Sequence, residues 1–420
     1  MASVDVAAIR AQIPATQAVV YLNTGWAGPS PRPVVEAISR ALEEHSFGGP
    51  TTPPLLEQRL ELLQQARQAV ADLLGATADE ISLQQNTTEG INIVLNGLDL
   101  SPGDELITCD MEHTSVIIPC YYARDRRRLN LKIVQLDAAD SPAQIVDKFA
   151  QAISPRTRLF VLSHVSFSSG LLLPLKEINQ LAHSAPGRAL VLADGAQAVG
   201  QMPVDVVDLE CDFYALPGHK WLLGPAGTGA LYIRRDLIEG LPPPKVAHRA
   251  SHSFTYTGHY EPRTDAIDKF ELTTVSIPLL VGLAEAITFL RRLGLEAIQE
   301  RVRALADRAR AGLSAIPPVK LVSPASGPLA TGLVSFAIPG LVPQDVTAAL
   351  WELERIVGRT VYENGSTRLS IDFFNTEEEV ETTLNIVRRL ARRGLPQGLP
   401  ARQQGALPSV TRELTAFWEL

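Results

Sequence analysis

The run Ala189-Leu190-Val191-Leu192-Ala193-Asp194-Gly195-Ala196-Gln197 reads as a buried strand ending in a polar turn. A second short apolar run follows it, in Asp212-Phe213-Tyr214-Ala215-Leu216-Pro217-Gly218-His219-Lys220-Trp221. Apolar runs of this length bounded by Gly and Pro are strand signals. Upstream they recur at Glu105 to Thr108, Leu131 to Leu136 and Arg158 to Ser163, and downstream at Gly229 to Ile233. Helical segments such as Ala143 to Ile153 and Leu175 to Ala182 lie between several of them. Strands alternating with helices predict an α/β chain with a mostly parallel, doubly wound sheet, whose ligands bind outside the carboxyl ends of the strands. Asp194, His164 and the pair Thr87-Thr88 all fall just past such ends.

Ahead of these strands, the spacing of Leu56, Leu60, Leu63, Val70 and Leu73 predicts a helix from Pro54 to a stop at Gly75. The strand-like Ile81-Ser82-Leu83 then leads through Asn86-Thr87-Thr88-Glu89-Gly90 into a helical stretch, Ile91 to Leu98. After about Ala266 the pattern changes to one long helical stretch, Pro278 to Ile316, a strand at Gly332 to Ile338, a helix at Pro343 to Glu354, a strand at Thr367 to Ile371 and a helix at Thr376 to Arg392. The division expected is an N-terminal segment 1–20 packing with the small domain, a large domain 21–265, a small C-terminal α+β domain 266–393, and a linker and tail 394–420 in which Val410 to Leu420 form a short amphipathic helix.

With 420 residues, 45% apolar and 20% charged, the chain can bury a large core divided between two lobes. A formal charge of −8 gives no footprint for nucleic acid, and the basic cluster Arg124-Asp125-Arg126-Arg127-Arg128 reads as a solvated loop. No apolar run approaches the ~20 residues that span a bilayer, and the start lacks a basic region followed by an apolar one, so a cytoplasmic protein is expected. Cys109, Cys120 and Cys211 are an odd number without CxxC spacing, which predicts buried free thiols and neither a disulfide framework nor a metal site.

Lys220 together with Asp194 is the pair that holding pyridoxal phosphate requires. A lysine amine can carry the aldehyde covalently, and a carboxylate keeps the pyridine nitrogen protonated so that the ring accepts electrons from a carbanion. Thr87 and Thr88 precede a helix, whose N-terminus offers free N–H groups and a positive dipole end to a phosphate.

Three blocks carry a resemblance. Ala193-Asp194-Gly195-Ala196-Gln197, then Gly218-His219-Lys220-Trp221 with Gly224-Pro225-Ala226-Gly227-Thr228-Gly229, and Ser370-Ile371-Asp372-Phe373-Phe374-Asn375-Thr376-Glu377-Glu378-Glu379 occur in family order. They resemble the class V aminotransferase family of fold type I pyridoxal-phosphate enzymes, which includes cysteine desulfurases, cyst(e)ine C–S lyases, isopenicillin N epimerase and kynureninase. The resemblance spans roughly Tyr21 to Arg392. It implies that Lys220 holds the cofactor and removes the substrate Cα proton, that Asp194 pairs with the pyridinium, that Gln197 bonds the cofactor's phenolic oxygen and that His113 stacks on its ring. Thr87, Thr88 and His219 would reach the phosphate. Thr274 would reach the phosphate of the neighbouring subunit in a homodimer with active sites at the interface. Arg368 would clamp the α-carboxylate of a small amino-acid substrate; Arg359 matches a second substrate arginine of the cystine lyases and reads equally well as a surface salt-bridge arginine. Pro217 stands where many relatives place a phosphate-binding Ser or Thr, and it has nothing to donate.

The resemblance also bears on the reaction. Desulfurases carry a nucleophilic cysteine on a small-lobe loop ahead of the carboxylate arginine, whereas this chain reads Thr360-Val361-Tyr362-Glu363-Asn364-Gly365-Ser366-Thr367 there and has no cysteine after Cys211. Phe167 occupies a position where the lyases carry an aromatic residue. The expectation is therefore β-elimination on L-cysteine or L-cystine, giving pyruvate, ammonia and sulfide or persulfide. A desulfurase-like enzyme with an external thiol, an aminotransferase or epimerase, and a non-catalytic scaffold remain as alternatives.

Overall fold

The computed structural model describes residues 5–396; the linker and terminal helix expected beyond 396 lie outside the described residues. Seven strands form the large sheet, in the order Ile81–Gln84, Gly229–Ile233, Phe213–Pro217, Leu190–Asp194, Thr157–Ser163, Glu105–Cys109, Asn130–Val134. Every neighbouring pair is parallel except the two made by Gly229–Ile233, which runs antiparallel to both its partners. Strands Glu105–Cys109, Phe213–Pro217 and Gly229–Ile233 are buried at every residue, as a sheet covered on both faces demands. One face is packed around Val70, Phe149, Phe160 and Leu290, the other around Ile91, Val116, Leu192 and Leu231. The mostly parallel sheet expected from the apolar runs is thus the observed one.

The helix ends follow local chemistry. Pro53–Leu74 opens with proline, whose missing N–H costs nothing there, and closes on Gly75 at φ +68°. Ser141 and Thr376 each cap a helix reciprocally with a residue three further on, Gln144 and Glu379. Glu379 also accepts from Arg10 Nη1 at 2.8 Å, which ties the N-terminal helix Val6–Gln12 to the last helix, Glu377–Arg393.

Two expectations change. Pro278 to Ile316 is not one helix: Gly294, at φ +86°, separates Ile277–Leu293, which packs on Arg32–Phe47 and Pro53–Leu74, from Leu295–Ser314, which packs beside the small lobe's sheet. A glycine inside a helical period costs only about 1 kcal/mol, so the periodicity alone did not reveal the break. The basic cluster is not a loop but the last turn of helix Thr114–Arg127, where Arg127 donates to the carbonyls of Leu95 and Leu100 and cations offset the negative dipole end. That helix and Arg32–Phe47 escaped a reading led by apolar runs.

The smaller lobe is a four-stranded antiparallel sheet, Lys320–Leu321, Leu333–Ala337, Ser366–Ser370 and Arg359–Val361, covered by Leu295–Ser314, Pro343–Glu354 and Glu377–Arg393. Among the described residues no helix is long and apolar enough to cross a membrane.

Asp212 anchors the strands that lead to Asp194 and Lys220. Its fully buried carboxylate accepts from the Val191 N–H at 2.7 Å, holds His183 Nε2 at 2.9 Å and pairs with Arg234. Asp212→Ala, by stranding the buried Val191 N–H, should lower unfolding free energy by about 2 kcal/mol in denaturant titration, while Arg234 keeps its pair with Asp236. The bond to Asp212 holds the His183 imidazole above its ordinary value. Its stabilisation is therefore complete below about pH 6.5 and is lost as pH rises through the folded-state value. Stability measured from about pH 5.5 to 8.5 should carry this decline, and His183→Gln should flatten it.

Candidate active site

The chemistry gathers at the carboxyl ends of the parallel strands. Asp194 ends its strand, Pro217 ends the next and leads through Gly218 and His219 to Lys220, and His113 follows the strand Glu105–Cys109. A closed turn fixes the lysine: Gly218 N–H donates to the Thr228 carbonyl at 2.8 Å, Gly224 N–H to Gly218 at 2.8 Å and Leu223 N–H to Lys220 at 2.9 Å. Burial lowers the Lys220 amine to about 8; Asp194 pulls it up, while Arg368 and Arg359 push it further down. An amine must be neutral to attack an aldehyde. Covalent uptake of pyridoxal phosphate by cofactor-depleted protein should therefore accelerate with pH up to a midpoint near 8, and stopped-flow absorbance would show a plateau above it.

Burial raises the Asp194 carboxyl, and both Lys220 and the Ala196 N–H, which donates to Oδ1 at 2.8 Å, counter that rise. Next to it lies a second buried carboxylate that the sequence did not reveal. Glu112 accepts from the N–H of Ser163 at 2.9 Å and its hydroxyl at 2.5 Å, and Ser163 is the cross-strand register partner of Asp194. Burial lifts Glu112 to about 7. The following residue, His113, caps helix Thr114–Arg127 by accepting from Ser115 N–H at 3.1 Å, and its ring meets Phe167 edge-on at 4.9 Å. Burial first, then Lys220 and the two arginines, drive this imidazole down to about 3, so it is a neutral ring. A neutral ring can stack on a cationic pyridinium without charge repulsion.

At the phosphate end, helix Thr87–Gly97 begins beside the lysine turn: a Cβ on Gly229 would come within 3.1 Å of Asn86 Cα. Asn86 caps the helix by accepting from Glu89 N–H, which leaves Thr87 Oγ1 buried with no partner among the described residues. His219 Nδ1 is orphaned in the same way, and burial holds that ring near 4, hence neutral. An orphaned hydroxyl at a helix N-terminus and an orphaned ring nitrogen next to Lys220 in the chain are groups that a phosphate dianion would satisfy. Thr88, half-buried, gives its carbonyl to Asn92 Nδ2 at 2.9 Å. Pro217 is a buried strand end.

The substrate end faces the small lobe. Arg368 is fully buried; Nη1 donates to the Phe167 carbonyl at 2.7 Å, whereas Nε and Nη2 have no partner among the described residues. Its cross-strand partner in register is Arg359. Two arginines directly opposed on one sheet face repel, and burial lowers both guanidiniums. An anion between them would relieve both effects. Arg359 is partly buried, and its guanidinium carbon lies 4.5 Å from the centre of the Trp26 ring.

Trp26 and Gly25 belong to an N-terminal strap that sequence reasoning missed, because its partners are distant in the chain. Gly25 accepts from Gln197 Nε2 at 2.8 Å, and Gly28 N–H donates to the His219 carbonyl at 2.7 Å. A Cβ on Gly25 would lie 2.8 Å from Ser370 Oγ and 3.3 Å from Arg368 Nη2, so the strap runs directly against the arginine. Gln197 also accepts from Trp221 Nε1 at 2.9 Å, which leaves one Nε2 hydrogen for a ligand. The structure does not bring Thr274 into this cluster: it is exposed, at φ +62°, ahead of helix Ile277–Leu293.

Known proteins match this arrangement. The Aminotransferase class-V family model matches residues 20–383. A probable cysteine desulfurase of Methanothermobacter thermautotrophicus is 32% identical over 92% of this chain and 98% of its own, and an isopenicillin N epimerase of Streptomyces clavuligerus is 34% identical over 86% and 92%. The cystine C–S lyase C-DES, solved with its reaction product cysteine persulfide, superposes with a TM-score of 0.83 at 30% identity, over 90% of this chain and 99% of its own. A Lys-to-Ala mutant of C-DES holds glycine covalently linked to the PLP cofactor. The family model and these near end-to-end matches show that the chain belongs to the class V aminotransferases, the pyridoxal-phosphate enzymes of fold type I.

Proposed function

We propose that this protein is a carbon–sulfur lyase that catalyses β-elimination on a sulfur amino acid, with L-cystine the favoured substrate. One observation carries the reading. The hairpin between the two arginines closes in four residues, Tyr362 to Gly365, contains no cysteine, and is tied to the large lobe by Asn364 Nδ2 donating to the Ser168 carbonyl at 3.2 Å. All three cysteines are buried elsewhere. No thiol on this chain is placed to attack substrate sulfur, so the reaction supported is one whose leaving group departs unaided. A persulfide, a weaker base than an alkyl thiolate, suits that requirement.

Bound pyridoxal phosphate supplies an electron sink for the Cα carbanion. Lys220 would hold it covalently and then take the Cα proton, a task for which an amine near 8 is matched. Asp194 would keep the ring nitrogen protonated, and His113 would cover one ring face. Gln197 would offer its remaining hydrogen to the phenolic oxygen, and Thr87, Thr88 and His219 would hold the phosphate. Arg368 would fork onto the α-carboxylate and set the Cα–H bond across the ring plane, with Phe167 walling the site. The exposed Thr274 and the exposed aromatics Phe254, Tyr256 and Tyr260 support a homodimer in which Thr274 serves the other copy's phosphate.

The isopenicillin N epimerase relative favours a second reading, epimerisation, which uses the same lysine and arginine. The test is product analysis of holoenzyme with L-cystine. Pyruvate in step with persulfide is expected; alanine from cysteine in the presence of thiol would replace the reading with a desulfurase, and recovery of D-amino acid without pyruvate would replace it with an epimerase.

A further inference from the structure

We propose that Glu112 is a positioning residue for the cofactor ring. It ties the turn that carries His113 to the strand end beside Asp194, and so fixes the ring's face contact and its nitrogen contact relative to each other. This rests on the ring contacts assigned above to His113 and Asp194, and goes beyond them by naming what holds the two in register.

In the sheet, strand Thr157–Ser163 lies between Glu105–Cys109, which leads to His113, and Leu190–Asp194. The two ring contacts therefore come from strands on either side of Ser163, and Glu112 bridges them at that point. The Ser163 N–H straddles its two carboxylate oxygens at 2.9 and 3.0 Å, and the Ser163 hydroxyl donates to Oε2 at 2.5 Å. On the far side Ser163 is the register partner of Asp194, and the next N–H, of His164, donates to the Asp194 carbonyl at 2.8 Å. The Cys109 thiol, at the end of the strand that leads to His113, donates to Oε1 at 3.2 Å. Two strand ends thus meet on one carboxyl, and the third is paired to one of them.

Asp110 ties the same turn the other way, toward the edge strand: its N–H donates to the Val134 carbonyl at 3.1 Å and its Oδ1 accepts from the Leu136 N–H at 3.0 Å. Glu112 is the tie that faces Asp194. His113 follows it directly, with its carbonyl and its ring nitrogen both committed to the first turn of helix Thr114–Arg127, so a shift of the turn carries the ring with it. Stability alone is a poor reason for such a residue. A buried carboxyl is costly without a cation, and the charge that acts on Glu112 is that of Asp194, of like sign. Three donors are nevertheless committed to it.

Variants of the holoenzyme test this. Glu112→Gln keeps the shape: its oxygen still accepts from the Ser163 N–H, and its amide can donate to the Ser163 hydroxyl. Glu112→Ala removes both bonds, and Ser163→Ala removes the hydroxyl bond alone. Visible circular dichroism per bound cofactor reports the asymmetric seat of the ring. Glu112→Ala should lose most of that signal, Ser163→Ala part of it and Glu112→Gln little. In pyruvate release from L-cystine, kcat of Glu112→Ala should fall about tenfold or more with KM within about threefold, because ring orientation rather than substrate binding is disturbed. A packing role alone would lower the melting temperature and leave both the dichroism per bound cofactor and kcat as in wild type. Unchanged dichroism in Glu112→Ala, or a Glu112→Gln protein as impaired as Glu112→Ala, overturns the proposal. Where Glu112→Ala does not fold, Ser163→Ala decides, and unchanged dichroism there overturns it. His113→Ala and Asp194→Asn should each change the same signal. If neither does, the ring contacts assigned above fail and the proposal with them; a change in those two with none in the Glu112 and Ser163 variants overturns this proposal alone. Absence of pyruvate in wild type would remove the lyase reading and leave the dichroism test standing.

Discussion

Lys220→Ala protein should release pyruvate from L-cystine at least about 10³-fold more slowly than wild type while still binding pyridoxal phosphate, because in the proposed reaction one side chain serves both as the covalent anchor and as the base. A positioned general base is worth about 10²- to 10⁴-fold by itself. The other proposed anchors, Asp194, Thr87 and His219, are untouched by the substitution, so cofactor absorbance should persist after gel filtration with a shifted band. The lysine turn is built from backbone bonds among Gly218, Thr228 and Gly224, so the melting temperature should change little. Turnover within tenfold of wild type would mean that another group takes the Cα proton.

The second large effect is at Arg368. Arg368→Lys should cut kcat/KM for cystine by roughly 10²-fold or more, about 3 kcal/mol, because a lysine keeps the charge but not the planar fork that accepts a carboxylate through two parallel bonds. The loss should fall on kcat as well as KM, since the clamp also orients the Cα–H bond. Stability should change little, unlike in a typical buried-charge deletion. Two guanidinium nitrogens of Arg368 lack partners and Arg359 stands opposite, so the melting temperature of the variant should stay within about 4 °C of wild type. A collapse in stability would show that Arg368 holds the lobes together.

The large lobe was legible because most of its strands are short apolar runs buried on both faces, and its mostly parallel pairing follows from strand–helix alternation. The candidate residues that the sequence singled out and the structure places past the strand ends are those that follow such strands directly: Asp194, His113, Lys220 and the Thr87-Thr88 pair. What escaped depends on contacts far apart in the chain. Glu112 becomes part of the site only through Ser163 on a neighbouring strand, and Trp26 only through Arg359, more than three hundred residues away. The register that opposes Arg359 and Arg368 is set by the hairpin between them, and the spacing of the two arginines alone left a surface salt bridge equally open. Gly294 divides two helices of one continuous period, a break that only packing on different lobes makes visible.

The most direct test of the account is borohydride reduction of the protein loaded with pyridoxal phosphate, followed by peptide mapping by mass spectrometry. A single phosphopyridoxyl group on Lys220 is the predicted result. Label on a different lysine, or no label on protein that has bound the cofactor, would contradict the assignment on which the lyase chemistry stands.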